Sequence, residues 1–286
     1  MRLRFRGRFL FFYELESMIQ VAVAGVGRAG AEVIRELAVS SQFRLVAAFC
    51  RDGSEKAGKK ITTLFPTAGS DVVVSEISHA KRVLKDSHAD VLIDFSSPVN
   101  AMPLVRACSA LHVPCVISTT RFTADHLSAL RSAVLSGGAC AVYAPNVTLG
   151  VNVLIAALKI VARALPEFDY RITETHHNKK YDKPSGTARV IADAIENELE
   201  TEDAKRYVPI HSIRAGGYIG LHEVLLANDC ERLSFTHESF NRRAFARGAL
   251  AAARFAIGKT GWFGMEDVVD IGPHPEHKFA ASSEAS

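Results

Sequence analysis

The chain has 286 residues, 48% of them hydrophobic, which suits one large or two ordinary domains with a real core and excludes a disordered chain. Its formal net charge is only +3, with no repeated basic and aromatic pattern, so nucleic acid is not an expected partner. No apolar stretch reaches the length needed to span a membrane.

Residues 1–17 mix Arg with Phe, and Met18 stands just before the first predicted strand. An over-called upstream start explains this leader better than a signal peptide, whose apolar core is longer and ends on small residues. Gln20–Ala24 is a short apolar run suited to a buried parallel strand. Gly25-Val26-Gly27-Arg28-Ala29-Gly30 follows at once, and then Val33, Ile34 and Leu37 at helical spacing. This is the dinucleotide fingerprint in its required context: Gly25 for the tight turn, Gly27 for approach of a pyrophosphate, Gly30 for close helix packing. The competing reading is a plain strand-to-helix turn.

The second strand, Arg44–Phe49, runs into Cys50-Arg51-Asp52, where NAD-binding chains carry an acid for the ribose hydroxyls. No carboxylate stands at 50, and Arg51 can pair with a 2′-phosphate, so NADPH is favoured over NADH. Two alternatives stay open: a mere surface Arg51, or an Asp52 that restores some NAD binding. Strands at Ala89–Phe95, Val113–Ser118 and Ala139–Ala144, with helices near 98–111 and 123–136, continue the alternation and predict a doubly wound parallel sheet of Rossmann type. Just past the strand ends lie Asp94–Pro98, Ser118-Thr119-Thr120 and Ala144-Pro145-Asn146, on the edge where open α/β sheets bind ligands. The five Cys, at 50, 108, 115, 140 and 230, are scattered and odd in number, which fits a reducing cytoplasm.

From about residue 146 the character changes. An apolar helix over Leu149–Leu165 leads to a strand at Tyr170–Thr175, a helix from 187, strands at Val208–Ile213, Leu221–Leu226 and Arg232–Thr236, and an Ala-rich helix over Asn241–Ile257. No second βαβ rhythm shows, so this part reads as α+β with a mixed or antiparallel sheet. The expected organisation is therefore a leader over 1–17 and a dinucleotide-binding domain over 18–145. A substrate-binding and oligomerisation domain over 146–240 follows, then a return segment over 241–271 and an aperiodic tail over 272–286.

The densest chemistry lies in Glu174-Thr-His-His-Asn-Lys-Lys-Tyr-Asp-Lys-Pro-Ser-Gly-Thr187. The strand delivers His176 and His177 to its end; Ser185 or Thr187 can cap the following helix, with Val190, Ile191, Ala194 and Ile195 as its apolar stripe. The turn Pro184-Ser185-Gly186-Thr187 presents free N–H groups and a hydroxyl at a helix N-terminus, where a carboxylate or phosphate is stabilised. A metal is not expected, because adjacent strand residues point to opposite faces and no further Cys or His stands at ligand spacing. A structural His and a solvated Lys-rich loop are the bland alternatives; convergence of acids, cations and an anion cradle favours a catalytic site.

This block, together with His-Ser-Ile-Arg-Ala-Gly-Gly at 211–217, Gly-Leu-His-Glu-Val at 220–224 and Arg-Ala-Phe-Ala-Arg-Gly-Ala at 243–249, closely resembles the 4-hydroxy-tetrahydrodipicolinate reductase family. The resemblance spans about Ile19 to Ile271. It implies a homotetrameric enzyme of the diaminopimelate route to lysine that reduces a heterocyclic dicarboxylate with NADPH or NADH. It further implies His176 as the acid/base residue, Lys180 as the proton donor, and His177, Ser185, Gly186 and Thr187 as substrate contacts. The implied cofactor positions are Gly25 to Gly30, Arg51, Ser118-Thr119-Thr120 and Ala144-Pro145-Asn146-Val147. Hydride addition leaves negative charge on the acceptor, which a general acid can quench, and Asp182 is expected to orient a Lys rather than to react.

Overall fold

A computed structural model describes residues 18–200 and 206–270. The leader over 1–17 and the tail over 272–286 lie outside the described residues. The described chain alternates strands and helices: β1 (Ile19–Ala24), α1 (Arg28–Ala38), β2 (Phe43–Cys50), the short α2 (Ile61–Leu64), β3 (Val74–Glu76), α3 (Ala80–Asp86), β4 (Val91–Asp94), α4 (Pro98–Leu111), β5 (Cys115–Ile117), α5 (Ala124–Ser136) and β6 (Cys140–Tyr143). There follow α6 (Leu149–Ala164), β7 (Asp169–His176), α7 (Gly186–Leu199), β8 (Ile210–Arg214), β9 (Leu221–Ala227), β10 (Arg232–Glu238), α8 (Arg243–Ala256), β11 (Gly261–Phe263) and α9 (Met265–Val269).

Seven strands form a parallel sheet in the order β11-β6-β5-β4-β1-β2-β3. Alternation along β1 shows how it is buried on both faces: Val21 and Val23 enter one apolar cluster, Ala22 and Ala24 the other. The α8 helix covers the first of these faces with Ala246, Ala249, Ala252, Ala253 and Ala256, small residues that let its backbone lie close to the strands. A Cβ on Gly248 would stand 1.7 Å from the Val147 carbonyl oxygen, so that contact leaves no room for a side chain. Glu36 on α1 accepts from Arg243 and, at 3.3 Å, from Arg247, tying α8 to the first helix.

A second, four-stranded sheet runs β10-β9-β7-β8. It is mixed: β7 pairs parallel with β8, whereas β9 is antiparallel to both β7 and β10. One βαβ unit is therefore present, β7-α7-β8, although the sequence shows no such rhythm; parallel neighbours need a crossover, and α7 supplies it. Its inner face, with Tyr170, Ile172, Val224 and Leu226, packs on α6 and α7. The short β3, α3, β11 and α9 were not expected from the sequence. The α7 helix begins one residue earlier than expected, with Ser185 as its cap, the hydroxyl accepting from the Ala188 N–H at 3.1 Å.

Candidate active site

The strand order of the large sheet reverses between β1 and β4, and the dinucleotide turn sits at that point. Gly25 has φ +90°, and a Cβ there would lie 2.4 Å from the Phe95 carbonyl oxygen after β4; one on Gly30 would lie 2.0 Å from the Gly25 oxygen. These two glycines make a close crossing of backbones. Gly27, by contrast, has nothing within 4 Å of where its Cβ would stand, and no side chain caps α1 there. Clear space in front of uncapped first-turn N–H groups fits a dinucleotide pyrophosphate.

The end of β2 frames the same ledge. Cys50 is buried and its thiol bonds the Ser75 carbonyl at 3.6 Å, while Arg51 is exposed. The two nearby acids are occupied by backbone: Asp52 accepts from the Ser78 N–H at 3.0 Å and Glu76 from the Gly53 N–H at 2.7 Å. Lys56 donates to the Val26 carbonyl at 2.7 Å, which brings its ammonium onto the glycine-rich turn. At the end of β4, burial pushes the Asp94 carboxyl up to about 6, against hydrogen bonds from Ser96 and from the Thr119 hydroxyl at 3.0 Å.

A cavity of about 660 Å³ lies between the two sheets. Thr120, Tyr143, Pro145 and Asn146 come to it from the ends of β5 and β6; His176, Lys180 and the Ser185-Gly186-Thr187 turn come from the end of β7 and the start of α7. The two walls are joined directly, since the Asn146 amide donates to the Thr187 hydroxyl at 2.8 Å. Asn146 is itself fixed by the Thr148 N–H and hydroxyl, at 3.0 and 2.7 Å. Lys180 pairs with Asp182 at 2.9 Å, the orienting contact expected of that Asp.

Strand register gathers a charged cluster on the inner face of the second sheet: Glu174 lies beside His222, and His176 beside Arg214. Glu174 has no exposed surface. It bonds His176 Nδ1 at 2.5 Å, receives Arg214 through two N–H groups at 2.8 and 2.7 Å, and accepts the Ser185 N–H at 3.2 Å. Burial works against its charge, but the Arg214 guanidinium holds the carboxyl below the usual carboxylate range. His176 is held below the ordinary imidazole value by burial, with Glu174 opposing. His222, edge-on to His176 at 5.3 Å, is pushed down to about 3 by burial and by the neighbouring imidazoles.

Of the residues named from sequence, Gly25, Val26, Gly27, Arg28, Ala29, Gly30 and Arg51 lie on the ledge. Thr120, Pro145, Asn146, His176, Lys180, Ser185, Gly186 and Thr187 line the cavity. Ser118, Thr119, Ala144 and Val147 are buried behind it. His177 and Lys179, in the turn that follows the end of β7, instead line a cleft with Arg28 and Ala29. Glu174 and Arg214, absent from the expected set, organise the site, and Arg121 and Arg189 add cations to the cavity wall.

The family models for dihydrodipicolinate reductase match this chain in both halves, the N-terminal one over residues 19–147 and the C-terminal one over 150–269. A 4-hydroxy-tetrahydrodipicolinate reductase of Methanococcus maripaludis is 32% identical over 89% of this chain and 100% of its own length. A protein of the same name from Methanosarcina mazei is 33% identical over the same shares. Among solved structures, a dipicolinate-bound dihydrodipicolinate reductase from Paenisporosarcina sp. superposes with a TM-score of 0.71 at 22% identity, covering 87% of this chain and 98% of that one. With the dinucleotide ledge, the cavity and these matches in agreement along both sheets, the chain belongs to the dihydrodipicolinate reductase family.

Proposed function

We propose that this chain reduces 4-hydroxy-tetrahydrodipicolinate, by way of dihydrodipicolinate, to tetrahydrodipicolinate in the diaminopimelate route to lysine. The observation that carries this reading is a single cavity joining the dinucleotide-side residues Thr120 and Asn146 to Lys180 and the α7 N-terminus. A bound nicotinamide cofactor supplies the hydride. Ser185, Gly186 and Thr187 hold a carboxylate at the helix N-terminus, Lys180 delivers the proton, and His176 orients the ring. His177 stands beside the dinucleotide turn rather than in the cavity wall.

The test is cofactor oxidation with freshly prepared product of dihydrodipicolinate synthase, run with NADPH and with NADH. Turnover of an amino acid in place of that product would assign a different two-domain dehydrogenase, and cofactor binding without turnover would assign a dinucleotide sensor.

NADPH is the preferred cofactor in this proposal. Cys50 is buried and offers no carboxylate to the ribose, Asp52 and Glu76 are each engaged by a backbone amide, and Arg51 is exposed at the end of β2, where it can meet a 2′-phosphate. Arg51→Ala is expected to weaken NADPH binding about tenfold, the scale of one lost charge-assisted contact, and to leave NADH nearly unchanged. Equal effects on the two cofactors, measured by fluorescence titration, would remove Arg51 as the source of preference.

A homotetramer is part of the proposal: Ile213 and Leu225 stand exposed on the outer face of the second sheet, where copies of the chain could pair. Among the described residues no helix is long and apolar enough to cross a membrane, and a cytoplasmic site of action is proposed with the function.

A further inference from the structure

A buried carboxylate touching an imidazole ordinarily favours the imidazolium, because the negative charge stabilises the added proton. Glu174 touches His176 and is fully enclosed, yet its charge is already shared with Arg214 and with the Ser185 N–H. We propose that Arg214 and Glu174 are positioning residues for His176: Arg214, by sharing the carboxylate charge, keeps the ring a neutral imidazole, and Glu174 holds its Nδ1–H so that Nε2 is an acceptor, leaving proton delivery to Lys180. This rests on the reductase reading and adds the division of labour within the site.

The tautomer follows from chemistry. An ionised Glu174 can only accept, so the hydrogen of the short contact lies on His176 Nδ1. The other ring nitrogen then carries a lone pair beside Gly220, where a Cβ would stand only 3.2 Å from it.

The groups facing His176 agree. Glu174 comes from its own strand, Arg214 from β8, His222 from β9 with His237 behind it at 6.4 Å, and Lys180 from the following loop. Only Glu174 favours a second positive charge there; Arg214, Lys180 and burial oppose it. The same guanidinium donates to the Asp182 carbonyl at 2.5 Å, and Asp182 holds Lys180 at 2.9 Å. Arg214 thus sets the charge of one candidate proton donor and the place of the other.

The experiment follows the His176 ring by NMR titration of the full-length, NADPH-loaded protein, alongside the pH dependence of kcat/KM. In Arg214→Met the Glu174 charge is no longer shared, so the His176 midpoint should move upward and the acidic limb of kcat/KM should move with it. Turnover at neutral pH should fall on the order of tenfold, a usual cost of losing such an outer partner. Arg214→Lys should restore most of the native midpoint.

Should Arg214→Met fail to fold, Glu174→Gln serves: it keeps a polar partner but removes the negative charge, so the midpoint should move downward. A midpoint unchanged in a folded Arg214→Met protein, or unmoved or raised in Glu174→Gln, overturns the proposal. The expected shifts without any turnover of the dicarboxylate would refute the reductase reading and leave the positioning pair standing.

Discussion

Lys180→Met is expected to lower kcat by about 10²- to 10⁴-fold, the usual worth of a positioned general acid, while NADPH affinity stays at the native value. Lys180 lines the cavity wall formed by the end of β7 and the start of α7, whereas the dinucleotide ledge is built from the turns after β1 and β2. Methionine keeps the length and the apolar stem of the side chain but cannot donate. Lys179→Met is the internal control, since Lys179 is exposed and lines the neighbouring cleft. Steady-state kinetics with both variants decide the point: small and equal losses would hand the proton to His176 or to solvent.

Gly30→Ala and Gly27→Ala should fail in opposite ways. A methyl at Gly30 would sit 2.0 Å from a backbone oxygen, which no rotamer can relieve. The helix must move off β1, at a cost of about 3 kcal/mol, the upper range for overpacking. A methyl at Gly27 meets nothing in the protein, so the melting temperature should hardly change, yet it occupies the space through which a pyrophosphate reaches the α1 amides. NADPH affinity should fall about tenfold or more. Thermal melts paired with NADPH titrations separate the cases; a Gly27→Ala protein that binds normally would show that the pyrophosphate does not approach there.

What the sequence made legible was local. The glycine spacing, the apolar runs of β1 and β2 and the cap at Ser185 each act within a few residues, so their physics is written where it operates. The three-residue β3 and β11 carry too little alternation to be read and become strands only through their partners β2 and β6. The Glu174–Arg214 pair was beyond reach for a related reason: the two residues are 40 apart, and parallel pairing of β7 with β8 brings them together. His177, which the resemblance implied as a substrate contact, lies just past the end of β7 and lines the cleft beside Arg28 and Ala29.

The path of the chain through the large sheet bears on how the protein is made. The edge strand β11 and the covering helix α8 belong to that sheet but are translated only after the whole second sheet. A nascent chain that has emerged only through β6 exposes one open sheet edge and the apolar face that Ala246, Leu250 and Ala253 later cover. The second sheet, with β7 to β10 contiguous in sequence, can pair its strands earlier. The cofactor half, though synthesised first, is therefore completed last, and a ribosome that stalls before α8 leaves it exposed to proteases and to aggregation.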